Sequence, residues 1–186
     1  MFIVIEWIDW SGKWTQLKQL AKRLEQEGKS VHTLDFPRYE ESSSFFVSKY
    51  LNCEYGHSVS AKASSLFYAL DRFDATHGKQ DELSKYDFIL SNRYVSASMI
   101  HQWGKISDPE KRAEFLAWLH ELEFDILGIP QPDLVLFLDV PPTTSAELIS
   151  KKEDRDYIKW SENKDIHEKD RDHLTNAYNC CLDLAE

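Results

Sequence analysis

The residues most able to do chemistry lie within the first fifteen positions, MFIVIEWIDWSGKWT. The apolar run from Phe2 to Ile5 predicts a buried strand, and Ser11, Gly12 and Lys13 then open a segment whose apolar residues recur with helical spacing. A turn of small residues between a strand and a helix is typical of a phosphate-binding loop, because backbone N–H groups and the positive helix end converge on a phosphate. Lys13 is placed to reach the outer phosphates.

Three tryptophans interrupt this motif. In the pattern G-x-x-x-x-G-K-[ST], Trp7 takes the place of the first glycine and Trp14 that of the hydroxyl residue, while Trp10 fills a third position suited to a small residue. Indole rings conflict with a backbone that must approach a phosphate closely. On this stretch alone, a phosphate loop and the ordinary first strand and helix of an α/β domain are equal alternatives.

Arginines follow two further predicted strands. The strand from Ser30 to Phe36 stops at Pro37 and is followed by Arg38, and the strand from Tyr86 to Asn92 is followed directly by Arg93. In open α/β sheets, ligands bind at the carboxyl ends of the strands. We therefore expect both arginines at one ligand-binding edge.

An aromatic and a cationic side chain share one face of a predicted helix that starts near Ser60. Tyr68 and Arg72 are one helical turn apart, so both project from the same side. The simpler alternative is a half-buried tyrosine beside a surface arginine.

The remaining elements have structural signals only. Asp108 and Pro109 predict the start of a helix with an apolar stripe, and PDLVLFLDVPP predicts a fourth strand that is covered on both faces. Four strands that alternate with helices predict a parallel sheet.

Composition limits the classes of protein. A chain of 186 residues with 42% hydrophobic residues can bury one core, so a single domain is expected. A net charge of −10 argues against a nucleic-acid partner. No apolar run approaches the roughly 18 residues that span a membrane, and no basic leader precedes the first strand, so we expect a cytoplasmic protein without a membrane partner.

Cysteine and histidine spacing gives no metal motif. Cys53, Cys180 and Cys181 form no CxxC pair, so free thiols are expected. His167 and His173, with Glu168, come nearest to a cluster, but a solvated helix face explains them more simply.

Several segments together resemble the thymidylate kinase family of P-loop nucleoside monophosphate kinases, over essentially the whole chain. These segments are the first loop through Thr15 and Gln16, DFPRY, SLFYALDR, the NRY start of NRYVSASMIHQ, and PDLVLFLDVPP. The resemblance implies an α/β, three-layer P-loop NTPase fold: a mostly parallel sheet flanked by helices, in one domain over 1–186, with a short lid at about 150–164. It also implies ATP-dependent phosphorylation of dTMP to dTDP with Mg²⁺, by a homodimer.

The same resemblance implies the site residues. Asp9, Lys13 and Arg93 would be catalytic, with Asp9 near the metal. The ATP site would contain Ser11, Gly12, Lys13 and Thr15 of the loop and Lys151, Lys152 and Arg155 of the lid, followed by Asp165 and Glu168. The dTMP site would contain Asp9, Phe36, Arg38, Tyr39, Arg72, Arg93, Ser98 and Gln102, with Tyr68, or its rival Phe67, stacking on thymine.

The chain departs from the family at two points, and three other functions remain open. Asn92 stands where the family usually has aspartate, which removes a charge near the metal, and we expect the chain to lack the family's last strand. The alternatives are an impaired nucleotide-binding homologue, a kinase for another nucleoside monophosphate, and a purely structural α/β module.

Five of the six tryptophans occupy positions suited to glycine: Trp7, Trp10, Trp14, Trp103 and Trp160, with Trp118 the exception. The chain has only 6 glycines, against an average usage of about 7% of residues. Glycine at these positions would give a full phosphate loop, EGIDGSGKGTQ. Our hypothesis is that the five arise from UGA codons, which some bacteria read as glycine and others as tryptophan. The alternative is a genuinely degenerate homologue.

Overall fold

The computed structural model describes residues 1–6, 12–141, 177–182 and 184. The strands are β1 (Phe2–Glu6), β2 (Val31–Asp35), β3 (Phe88–Asn92) and β4 (Leu134–Phe137). The helices are α1 (Lys13–Gln26), α2 (Phe45–Leu51), α3 (Ala61–Thr76), α4 (Gln80–Leu83), α5 (Val95–Trp103) and α6 (Pro109–His120). A 3₁₀ turn (Ser42–Ser44) precedes α2, a π-helical turn (Glu121–Ile126) continues α6, and residues 177–182 are helical.

The four strands form one parallel sheet in the order β2-β3-β1-β4. The register pairs Asn92 with Asp35 on one side and with Ile5 on the other, so these strands end at one edge. The prediction of a parallel sheet is confirmed, and the arginines after β2 and β3 leave from the same edge.

Alternation along β1 creates two cores. Phe2 and Val4 pack with residues of α3, α5 and α6, whereas Ile3 and Ile5 pack on the opposite face against Leu17 of α1 and its neighbours. Successive side chains of a strand point to opposite faces, so a uniformly apolar strand supplies both layers. This arrangement confirms the three-layer fold.

Helix ends follow their sequence signals. The Ser60 hydroxyl accepts a hydrogen bond from the N–H of Ala63, and the Asp108 carboxylate accepts from the N–H groups of Glu110 and Lys111. Gly28 follows the end of α1 with φ +78°, a conformation that glycine adopts without strain.

β4 differs from its prediction on one face. Val135 and Phe137 pack into the cores, but Leu134 and Leu136 are 40% and 38% exposed. Among the elements that the structure describes, α1 packs over β1, β2 and β3, so these two leucines do not meet the expectation that both faces are covered.

Two further expectations concern the whole chain. Cys53, Cys180 and Cys181, which lie in the described ranges, form no disulfide bond. Within the ranges that the structure describes, no helix is both long and apolar enough to cross a membrane.

Candidate active site

A cavity of about 300 Å³ opens at the carboxyl edge of the sheet. Its walls come from the loops after β2 and β3 and from α3 and α5. Seven of the predicted site residues line it: Phe36, Tyr39, Tyr68, Arg72, Arg93, Ser98 and Gln102. The structure therefore brings together most of the residues that the sequence suggested for one small ligand.

The structure describes the predicted phosphate loop only from Gly12 onward. Gly12 takes φ +84° immediately before the helix, and its carbonyl accepts from the N–H of Gln16 at 3.1 Å. Lys13 is the first helical residue and is 6% exposed, while Thr15 is exposed.

Several predicted residues lie outside the described ranges. They are Asp9, Ser11, Lys151, Lys152, Arg155, Asp165, Glu168, His167 and His173, together with the expected lid. Their predicted roles stay predictions.

Arg93 has a strained backbone conformation that two backbone contacts hold, and its side chain makes a third contact. Its φ is +64°, in the left-handed region that costs a residue with a side chain roughly 1–2 kcal/mol. Its N–H donates to the carbonyl of Ile5 at 3.1 Å, and its carbonyl accepts from the Ser91 hydroxyl at 2.6 Å. Its guanidinium Nη1 lies 2.9 Å from Nε2 of His101. Strain of this kind is concentrated at functional sites.

Arg72 belongs to a buried ion pair. Its guanidinium contacts both carboxylate oxygens of Glu123, and it donates to the Ser98 hydroxyl at 3.0 Å and the Tyr94 carbonyl at 3.2 Å. The two side chains are 2% and 0% exposed. Burial alone would lower the pKa of Arg72, but Glu123 outweighs it and the pKa is raised. The alternative of a surface arginine is therefore wrong.

Arg38 lies beside the cavity but not in its wall. Its guanidinium donates to Asp71 at 3.0 Å, to Asp74 at 2.6 Å and to the Ser43 hydroxyl at 2.8 Å. Burial acts to lower its pKa, but the two carboxylates raise it overall. These contacts tie the loop after β2 to α3, and a contact of Arg38 with dTMP stays a prediction.

Tyr68 and Phe67 point to different places. Both side chains pack against the small core of α2, but Tyr68 also lines the cavity, whereas Phe67 stacks on Phe46 with ring centroids 5.7 Å apart. Of the two rivals for the ring that stacks on a base, Tyr68 has the better position.

Gln102 presents a buried amide to the cavity. Its Oε1 accepts from the Ser64 hydroxyl at 2.7 Å, and its side chain is 1% exposed. This contact places one end of the amide against Ser64.

Asp35 and Asn92 meet across β2 and β3. The amide of Asn92 donates to the Asp35 carboxylate at 2.6 Å, and within the described part of the chain its buried Oδ1 has no hydrogen-bond partner. Desolvation raises the pKa of Asp35 despite the opposing effects of Asn92, Arg93 and Lys13. The Asp35 carboxylate therefore lies near both of these cations.

The described residues alone do not form a metal site. Among them, no three histidine, cysteine, aspartate or glutamate side chains converge. The oxygen donors at the sheet edge, including the partnerless Oδ1 of Asn92, have the hard character that Mg²⁺ prefers. They fit a metal that is held mainly by nucleotide phosphates.

Sequence reasoning missed three residues at this site. Glu123 lies in a stretch read as helix without chemistry, His101 within NRYVSASMIHQ was not singled out, and Asp35 was read only as part of a strand. The position of Asp35 at a strand's carboxyl end is the same signal that identified Arg38, so it could have been found. Glu123 and His101 have no comparable local signal.

Comparison with known proteins gives the family. The family model described as "Thymidylate kinase" matches residues 5–185. The chain belongs to the thymidylate kinase family. Members of this family are phosphotransferases that bind nucleotides, so the cavity lies in a kinase.

Individual thymidylate kinases agree with this assignment. The thymidylate kinase of Mycobacterium tuberculosis is 33% identical over 154 residues, which cover 82% of this chain and 70% of that protein. A probable thymidylate kinase of Pyrococcus abyssi is 32% identical over 145 residues, covering 75% and 65%. A solved thymidylate kinase from Candida albicans superposes with a TM-score of 0.73 at 21% identity, over all of this chain and 77% of that one. The last comparison supports the P-loop fold.

Proposed function

We propose that this chain transfers the γ-phosphoryl group of ATP to dTMP and releases dTDP and ADP. One observation carries the proposal: a cavity sized for one nucleotide lies at the carboxyl edge of the sheet, with Tyr68, Arg72 and Arg93 in its wall. The family assignment supports the choice of dTMP as acceptor.

Phosphoryl transfer requires mainly positioning and neutralisation of charge. Lys13 and the N–H groups at the start of α1 bind the phosphates of ATP, with Ser11, Gly12 and Thr15 of the same loop. Arg93 binds the acceptor phosphate and brings it in line with the γ-phosphate. The charges of Lys13 and Arg93 both act to lower the pKa of the Asp35 carboxyl, which supports placing the two cations at the same edge of the sheet.

The nucleoside part of dTMP occupies the rest of the cavity. Tyr68 stacks on the base, and Gln102 and Ser98 face its edge. Phe36 and Tyr39 close the side next to the loop after β2. Arg72 supports this wall through its contact with Ser98.

Magnesium is the cofactor that this reaction calls for. When bound, Mg²⁺ neutralises charge on the β- and γ-phosphates. Asp9 is the proposed protein ligand, and the lid cations Lys151, Lys152 and Arg155 are proposed to close over ATP. The side-chain amide of Asn92 provides an oxygen donor near the proposed metal site but, unlike the aspartate usual in the family, no negative charge.

The proposal is tested by measuring ADP formation with dTMP and MgATP, alongside dUMP, dCMP, dGMP and AMP. Turnover with dTMP at the highest kcat/KM supports it. A preference for another monophosphate supports a kinase of different specificity. Binding without turnover supports the impaired homologue, and a chain that no nucleotide stabilises against heat would be a structural module.

We further propose that the natural protein has glycine at positions 7, 10, 14, 103 and 160. In the described ranges, Trp14 is 40% exposed, and the buried indole Nε1 of Trp103 has no hydrogen-bond partner. Trp118 behaves differently, because it packs against the main core. A buried N–H without a partner costs free energy, which is unusual for a selected residue.

Codons 7, 10, 14, 103, 160 and 118 decide this point. Five TGA codons, with TGG at 118, support glycine, and six TGG codons contradict it. The variant with all five residues changed to glycine should then bind ATP more tightly, and turn over dTMP faster, than the chain as written. Equal ATP affinity of the two chains would contradict the argument that the indoles block the loop.

We also propose a homodimer that forms through the α2 and α3 face. Leu66 and Leu70 lie one turn apart on α3 and are 39% and 45% exposed, beside the stacked rings of Phe46 and Phe67. Exposed apolar groups of this kind are typical of an interface. Leu66→Glu with Leu70→Glu should give monomers in sedimentation velocity, while Ile126→Glu, at another exposed apolar residue, should leave the dimer. A monomeric unsubstituted chain would contradict the proposal.

A further inference from the structure

The guanidinium of Arg93 lies against a buried histidine. Nε2 of His101 is 2.9 Å from Nη1 of Arg93, and His101 is 7% exposed in the second turn of α5. A guanidinium can only donate hydrogen bonds, so His101 must accept with the lone pair of Nε2 and carry its proton on Nδ1. Both side chains line the same cavity.

The backbone of Arg93 is fixed independently. Ser91 and Ile5 hold its carbonyl and its N–H, in the strained conformation at φ +64°. These contacts determine where the side chain starts, but they leave its four side-chain torsions undetermined. An arginine loses considerable rotamer entropy when its head group is held in one place. A contact at the far end of the side chain is what can hold the guanidinium plane before a ligand arrives.

We propose that His101 is a positioning residue that aims the guanidinium of Arg93 at the phosphate of the bound nucleotide. It touches no reacting atom; it acts by pre-orienting the cation, which lowers the entropy cost of binding a phosphate. The inference rests on the proposed function, since it takes the ligand to be a nucleoside monophosphate.

The test compares dTMP with thymidine, which lacks the phosphate, by isothermal titration calorimetry on the full chain. This measurement requires no ATP. Arg93→Met should weaken dTMP binding roughly 10- to 100-fold, the value of a charge-assisted hydrogen bond, and leave thymidine binding unchanged. His101→Phe should weaken dTMP binding about 10-fold, also without effect on thymidine.

Two further variants separate positioning from packing. His101→Gln places an amide oxygen near the former Nε2 and should restore most of the dTMP affinity, which a purely steric role would not predict. The double variant of His101→Phe and Arg93→Met should bind dTMP no more weakly than Arg93→Met alone, because His101 acts through Arg93. His120→Phe, at an exposed histidine of α6, is the control and should change neither affinity.

The outcomes distinguish the two proposals. If the unsubstituted chain binds dTMP but His101→Phe lowers dTMP and thymidine binding equally, or lowers neither, the role of His101 is refuted and the proposed function stands. If the loss of dTMP affinity in His101→Phe adds in full to the loss in Arg93→Met, the role of His101 is also refuted. If the unsubstituted chain binds no dTMP, the proposed function itself fails, and the inference with it.

Discussion

Among single substitutions of buried polar residues, Glu123→Gln should cause the largest loss in the free energy of unfolding. It keeps the shape of the side chain but removes the charge that faces Arg72, with both side chains almost completely buried. Arg72 then retains the Ser98 hydroxyl and the Tyr94 carbonyl as acceptors, and its charge is no longer balanced by the carboxylate. Breaking one partner of a buried ion pair costs about 3–5 kcal/mol.

This loss is large relative to the stability of a domain, which is roughly 5–15 kcal/mol. For a chain of this size, it corresponds to a decrease in Tm of roughly 6–20 °C. Urea denaturation and thermal unfolding, both followed by circular dichroism, measure it. Glu121→Gln, at an exposed position of the same π-helical turn, is the matched control and should change the free energy of unfolding by about 0.5 kcal/mol or less.

The double substitution Arg72→Met with Glu123→Leu tests the reason for the loss. It leaves no buried charge, so it should be clearly more stable than Glu123→Gln. A loss below about 1 kcal/mol in Glu123→Gln would refute the claim that Arg72 depends on this carboxylate. A double variant as unstable as the single one would show that packing, and not charge, is responsible.

Three further changes have defined outcomes. Burial lowers the pKa of Lys105 from 10.5 to about 8. Between about pH 8 and pH 10.5 the unfolded chain therefore binds more protons than the folded chain, and the free energy of unfolding increases with pH. Lys105→Met should abolish that increase in urea titrations across this pH range. Asp108→Ala removes the cap of α6 and should cost about 1 kcal/mol in the same assay, and an unchanged midpoint would contradict the capping role. The methyl group added by Gly12→Ala would meet no atom within 4 Å, but the residue must adopt φ +84°. Thermal unfolding should therefore show that the free energy of unfolding falls by roughly 1–2 kcal/mol. No decrease would mean that the loop changes conformation to remove the strain.

The sequence was most informative where structure is determined locally. The apolar run of β1, the helix start near Ser60 and the cap at Asp108 depend on neighbouring residues, and the structure has them as predicted. Arg93 was also predictable as a site residue, because its place directly after a strand is a local property that fixes its edge of the sheet.

Contacts distant along the chain were not predictable. Arg72 and Glu123 are 51 residues apart, and nothing in ELEF marks a glutamate that the π-helical turn buries. The burial of one face of β4 also depends on where α1 packs, which the apolar pattern of the strand does not encode. Such features follow from tertiary packing, which overrides local pattern.

The left-handed backbone of Arg93 creates a conflict for any attempt to make this protein more robust. Glycine at position 93 would relieve the strain at φ +64°, and asparagine would reduce it, so a selection for heat resistance alone would favour both. Either change removes the cation from the cavity. Thermostability screens should therefore recover folded, inactive chains changed at this position, and a screen that also requires turnover should reject them.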